Sequence, residues 1–302
     1  MKRLLFVCNP RSGKEQIRMK LLDILDIFVK HEYEVSVHVT QAQGDALSVV
    51  KERAADCDLV VCSGGDGTLN EVISGLMEIP EEKRPDLGYI PSGSTNDYAS
   101  SLGLAKKMKK AAEDAVTGEP FAVDVGQFGA VSGKKFIYVA AFGAFTEVSY
   151  DTPQELKNTF GHLAYIISGI ASIPSITPYH LKIEYDDGQV IEDDFYYGMV
   201  CNTISVGGLK AIPSDRVVLD DGLFEVVLVK RPLSILELGA SLQAWIQKTP
   251  VEGSALISFQ ASHLTFTSEV PIPWTLDGEF GGNNCVNMVE NCPRAITVMQ
   301  GE

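Results

Sequence analysis

No C-x-x-C pair occurs among the six cysteines of this 302-residue chain, and no apolar run is clean enough to span a membrane. Scattered Cys8, Cys57, Cys62, Cys201, Cys285 and Cys292 exclude a zinc ribbon and a disulfide framework. They read as reduced thiols of a cytoplasmic protein, two of them (Cys8, Cys62) closing apolar strands. Positive charge is scarce: 25 Lys and Arg stand against 40 Asp and Glu, a formal net charge of −15. That argues against a nucleic-acid partner and against holding an anionic membrane by charge alone. The one basic cluster, Lys106-Lys107-Met108-Lys109-Lys110, reads as a solvated helix face. The longest uncharged stretch, 160–181, is broken by Gly161, Gly169, Pro174 and Pro178, so no transmembrane segment is expected. Its residues Leu163, Tyr165, Ile166, Ile167 and Ile170 suggest a short helix in the core or beside a lipid-facing cleft. The start, Met1-Lys2-Arg3 before Leu4-Leu5-Phe6-Val7-Cys8, is too short in its apolar part for a targeting segment and reads as a first strand. A P-loop is missing as well, because Gly13-Lys14 is followed by Glu15.

What is present divides into two textures. Up to about residue 120, apolar strands alternate with helical patterns: strands near 4–8, 33–40, 59–62 and 87–91, helices near 13–30, 46–55, 68–77, 97–102 and 105–117. This alternation predicts an α/β domain, a parallel sheet with helices on both faces. Ligands of such sheets bind beyond the carboxyl ends of the strands, where Asn9, Thr40, Ser63 and Ser92 fall. From residue 121 onward, short strands separated by Asp-Gly and proline turns predict an antiparallel β-sandwich, interrupted by helical stretches near 154–172 and 233–247. The final run 295–299 is apolar enough to rejoin the first domain. The expected division is 1–122 with about 288–302, and 123–287.

The chemistry concentrates in Ser63-Gly64-Gly65-Asp66-Gly67-Thr68-Leu69-Asn70-Glu71, which joins a strand to a helix. Glycine lets backbone approach a ligand, and the first N–H groups of a helix attract anions, so nucleotide phosphates are placed here. Asn70 at the third glycine position departs from the dinucleotide fingerprint. Asp66 would repel phosphate unless a cation intervenes or its carboxylate accepts a donor. Two further loops share the rim. Asn9-Pro10-Arg11-Ser12-Gly13-Lys14 offers donors and positive charge, and Pro91-Ser92-Gly93-Ser94-Thr95-Asn96-Asp97 clusters hydroxyls and an amide at a helix start.

Together, N-P-x-S-G-K, G-G-D-G-T-x-N-E-V and P-x-G-[ST]-x-N-D-[FY]-A resemble the catalytic domain of diacylglycerol kinases and related bacterial lipid kinases. Gly161-His162-Leu163-Ala164-Tyr165, the 219–224 segment and Leu276-Asp277-Gly278-Glu279 resemble that family too. Ser94 stands where threonine is commoner, keeping the hydroxyl. The resemblance implies a phosphofructokinase-like nucleotide domain, a C-terminal β-sandwich, an active site between them, ATP with Mg²⁺, and phosphoryl transfer to a lipid hydroxyl at the membrane's inner face. By position, Asn9, Ser12, Gly13, Lys14, Thr40, Gly64, Gly65, Asp66, Gly67, Thr68, Leu69, Asn70, Glu71, Ser94, Thr95 and Asn96 are implied in ATP binding. Asp277 is implied as the base for the acceptor hydroxyl, with Glu279 beside it and Asp66 as a further catalytic acid. Asp221 with the carbonyls of Val218 and Leu223 is implied as a structural metal site. The rival readings are a NAD kinase, which shares G-G-D-G-T, and a nucleotide-binding regulator without catalysis. An exposed sandwich edge allows a homodimer.

Overall fold

The protein is represented by a computed structural model that describes residues 1–13, 17–129, 133–143, 177–203, 205–206, 209–210, 217–230, 241 and 254–301. Lys14, the Gly161 motif and the helical stretches expected near 154–172 and 233–247 (save Ser241) lie outside the described residues. The chain forms two units, Met1–Val125 with Cys292–Glu302, and Gly126–Asn291.

In the first unit, β1 (Lys2–Cys8), β2 (Tyr33–Val39), β3 (Leu59–Gly64) and β4 (Asp86–Pro91) pair in the order β4-β3-β1-β2, all parallel. The centres of β1, β3 and β4 are buried on both sides, as a sheet covered on both faces requires, whereas the edge strand β2 alternates apolar residues with Glu34, Ser36 and His38. The helices are α1 (Ile17–Lys30), α2 (Asp45–Arg53), α3 (Asp66–Met77), α4 (Asp97–Ser101) and α5 (Met108–Thr117). Helix α1 buries Ile17, Ile24 and Phe28, residues spaced by seven and four, with Phe28 edge-on to Phe6 at 5.5 Å. Strand β5 (Glu119–Phe128) follows, and the last strand of the chain returns: Val298 pairs parallel with Leu87 of β4. Arg294, with φ 50°, donates its N–H to the buried carboxylate of Asp124 at 2.8 Å and so anchors this return.

The second unit is antiparallel in every described pairing. Its strands are β6 (Lys134–Phe136), β7 (Val139–Gly143), β8 (Tyr179–Tyr185), β9 (Gln189–Cys201), β10 (Ser205–Val206), β11 (Leu209–Lys210), β12 (Phe224–Lys230), β13 (Leu256–Ala261), β14 (His263–Leu276) and β15 (Glu279–Gln300). Strands β8 and β7 lie end to end in one row between the long strands β9 and β14. Trp274 fills the core, with the rings of Phe128, Phe142 and Phe266 at 5.0, 4.9 and 5.0 Å. Two strands expected at 189–194 and 196–202 are one continuous β9, and the run 295–299 is only the end of the 22-residue β15. The strand expected at 135–141 is instead broken at Ile137 and Tyr138, because Asp277 captures their amides.

Among the described residues no helix is long and apolar enough to cross a membrane. All six cysteines are free, and burial raises the Cys8 thiol to about 11 and drives Cys62 higher still, so neither supplies a thiolate nucleophile at neutral pH.

Candidate functional site

Three loops meet at the carboxyl ends of β1, β3 and β4, and they are held by backbone contacts that only glycine permits. Gly13 has φ 54°, and a Cβ there would stand 2.2 Å from the Ser92 carbonyl oxygen. A Cβ on Gly93 would stand 2.6 Å from the Gly65 Cα. Gly64 leaves room for the Thr68 side chain, which a Cβ would meet at 2.4 Å. Gly67 differs: it is exposed, and nothing lies within 4 Å of where its Cβ would be. Gly13 and Gly93 therefore serve loop packing and Gly64 makes room for the first turn of α3, whereas Gly67 keeps open space at that turn.

Polar contacts join the same loops. Asn9 donates through Nδ2 to the Thr68 hydroxyl at 3.0 Å, and its own N–H bonds to the Ser63 carbonyl at 2.8 Å. The Ser92 N–H donates to the Gly64 carbonyl at 2.8 Å. Asn96, in the left-handed region at φ 53°, closes its loop onto Gly93 with bonds of 2.8 and 2.9 Å in both directions. Ser12 is buried, while Ser94 and Thr95 are exposed. Thr40 lies at the end of β2, its N–H bonded to the Cys8 carbonyl at 3.0 Å.

The acid inside the glycine loop turns inward. The Asp66 carboxylate accepts the N–H groups of Asp97 at 3.1 Å and Tyr98 at 3.4 Å, with the Thr95 hydroxyl at 3.5 Å. It thus caps the start of α4 from another helix and fastens the third loop to the second. Burial, then the Asp97 charge, pushes its carboxyl above the usual range, while the amide donors oppose that. Two of the residues implied in ATP binding have intramolecular partners. Leu69 is fully buried and its N–H bonds to Gly65, so its side chain serves the core. Glu71 turns its carboxylate to the amides of Gly44 and Ala46. Asn70 accepts the Ser74 hydroxyl at 3.4 Å. Asp97, buried beside Asp66, was not singled out by sequence; the only signal was its place in the Asn-Asp pair of the third motif.

In the second unit, Asp277 sits in the β14–β15 turn with φ 49°, followed by Gly278 at 87°, the left-handed pair of a type I′ hairpin. Its buried carboxylate accepts three amides: Ile137 at 2.7 Å, Tyr138 at 3.0 Å and Val139 at 2.9 Å. Glu279 is exposed beside it. The 217–223 turn carries Asp221, whose Oδ1 accepts the Leu223 N–H at 3.0 Å, while Asn202 donates to the Leu219 carbonyl at 3.3 Å. Val218 is half exposed. Among the described residues no three His, Cys, Asp or Glu gather into a metal centre.

Known proteins resemble this chain over nearly its whole length. The model of the diacylglycerol kinase catalytic domain matches residues 3–128, and that of the YegS C-terminal NAD kinase beta sandwich-like domain matches residues 141–300. The diacylglycerol kinase of Bacillus subtilis (strain 168) is 36% identical over 284 residues, 93% of this chain and 91% of that protein. That of Staphylococcus carnosus (strain TM300) is 35% identical over 291 residues, 95% of this chain and 92% of its own. A crystal structure described as a diacylglycerol kinase from Bacillus anthracis str. Sterne superposes with a TM-score of 0.76 at 24% identity, covering 99% and 97% of the two chains. Yeast NADH kinase, solved with NADH, superposes at 0.55 with 11% identity over 100% and 84%, a likeness of fold alone.

Proposed function

Because the chain belongs to the diacylglycerol kinase family, we propose that it transfers the γ-phosphoryl group of ATP to the hydroxyl of a diacylglycerol-type lipid. The observation that carries this reading is the convergence of three loops on the rim of a parallel sheet, with Gly67 open at the first turn of α3. Phosphate oxygens there meet the free N–H groups and positive end of the α3 dipole. The Asp66 carboxylate, turned to the amides of α4, does not oppose them. Thr68, Asn70 and Ser94 supply side-chain donors.

Transfer passes through a loose transition state, so positioning and charge neutralisation carry most of the rate. Mg²⁺ supplies that neutralisation when bound, and carboxylate oxygens such as those of Asp66 and Asp97 are its donor class. The acceptor hydroxyl must lose a proton, for which the second unit offers the Asp277 carboxylate, held by three amides, and exposed Glu279. The test is transfer of labelled γ-phosphate to diacylglycerol, monoacylglycerol and a sphingoid base, with NAD as the control. Label on lipid is expected; label on NAD alone overturns the reading.

A structural cation at the 217–223 turn fits the oxygen donors present there, one free Asp221 oxygen and the carbonyls of Val218 and Leu223. A cation that binds the folded state adds to its stability. Chelation is therefore expected to lower the melting temperature of the unaltered protein and to leave that of Asp221→Ala unchanged. Equal melting temperatures with and without chelator, and no Mg²⁺ or Ca²⁺ in the purified protein, would sink the assignment.

A further inference from the structure

We infer that Glu71 is a positioning residue for the loop after β2, and that through this loop it governs binding of the nucleoside end of ATP. The inference rests on the proposed ATP site. The N-cap of helix α2 is Gly44, a residue with φ 83° and no side chain to cap the helix. Glu71, on a different helix, supplies the missing cap: Oε1 accepts the Gly44 N–H at 2.8 Å and Oε2 accepts the Ala46 N–H at 3.2 Å.

The two helices are also set close together one turn further along α3. A Cβ on Gly75, four residues after Glu71, would stand 2.8 Å from the Leu47 carbonyl oxygen and 2.9 Å from the Val50 Cβ. Gly75 thus sets the separation of α2 and α3, and Glu71 sets their register. From α2 the constraint passes outward. The Asp45 carboxylate accepts the Gln41 N–H at 2.7 Å and faces His38 Nε2 at 3.2 Å, and Gln41 Nε2 donates to the Val39 carbonyl at 2.9 Å. Residues 38–46 are in this way fastened at both ends, with Thr40 between them.

Position decides what such a loop can touch. In the order β4-β3-β1-β2, strand β2 lies two places from β3, which carries the glycine turn. Two inter-strand spacings are about 10 Å. With phosphates at the N-terminus of α3, the loop after β2 stands a nucleoside's length away. Glu71 itself has both oxygens engaged by backbone, so its effect on the nucleotide is carried by the loop.

The test compares the KM for MgATP with the inhibition constant of magnesium tripolyphosphate, which has phosphates and no nucleoside. Glu71→Ala is expected to raise the KM for ATP about tenfold, with kcat within about threefold and the tripolyphosphate constant unchanged, a loss of uniform binding. Glu71→Gln keeps one acceptor and is expected to fall between. Asp45→Ala, which releases Gln41 and leaves Glu71 in place, should reproduce the same split, and it decides the matter should Glu71→Ala fail to fold. Parallel rises in both constants would mean that Glu71 shapes the phosphate site, and an unchanged KM in Asp45→Ala would mean that the loop does not read the nucleoside. Either result overturns the inference. Absence of ATP binding by the unaltered protein would remove the proposed function along with it.

Discussion

Asp277→Asn is expected to lower kcat by about 10²–10⁴-fold, the usual contribution of a general base. On the proposed function the loops of the first unit bind MgATP, so its affinity should hardly change. The structure adds a second consequence. The carboxylate accepts three amides, from Ile137, Tyr138 and Val139. An asparagine side chain has one oxygen and an NH₂ group that cannot accept, so at least one buried N–H loses its partner. Such a loss costs about 1–3 kcal/mol, and the melting temperature should fall with it. Turnover is therefore compared below the transition of the variant, with Glu279→Gln alongside. Parallel loss of ATP binding and turnover would make Asp277 an organiser of the nucleotide or metal. An intact kcat would pass the role of base to Glu279.

Asp66→Asn is expected to reduce activity by at least about 10²-fold, because a displacement near 1 Å at a reacting site carries that cost. Its carboxylate is the link between the glycine turn and the start of α4. The effect on stability should be small, for two changes oppose one another. One amide loses an acceptor, and a buried negative charge beside Asp97 disappears. Burial holds the Asp66 carboxyl above the usual aspartate range in the folded chain. Between the unfolded and folded values, the folded state binds more proton than the unfolded one. Stability from this group therefore falls as pH rises through that window. Asp66→Asn should flatten this part of the stability-against-pH curve, measured by denaturant titration in mildly acidic buffers. Near-normal turnover would place the phosphate site elsewhere, and an unchanged pH curve would show that the group carries no burial penalty.

A buried charge that costs stability is kept where its geometry is needed, and here the geometry joins two loops about thirty residues apart in sequence.

The sequence by itself determined the elements whose signal is local. The uniformly apolar strands β1, β3 and β4 and the spaced apolar residues of α1 and α3 follow from side-chain period alone. The glycine-bearing loops at their ends were legible for the same reason, since glycine and N-cap residues mark strand-to-helix turns. Tertiary structure alone decided what those residues do. Gly64, Gly65 and Gly67 read alike in sequence, yet Gly64 makes room for Thr68 of the helix that follows it, Gly65 faces Gly93 and Ser12 of two other loops, and Gly67 stands open. Nothing near Asp66 or Glu71 shows that their carboxylates seek the amides of α4 and α2. The break at Ile137 and Tyr138 is made by a residue 140 and 139 positions away. Strand β15 was visible only at its end, for Gly281, Gly282 and Pro293 weaken its local preference and its ladder with β14 supplies what they lack. Periodicity records which face of an element is buried. A carboxylate's partner is chosen by where backbone amides are left without one, and that is known only when the chain has closed on itself.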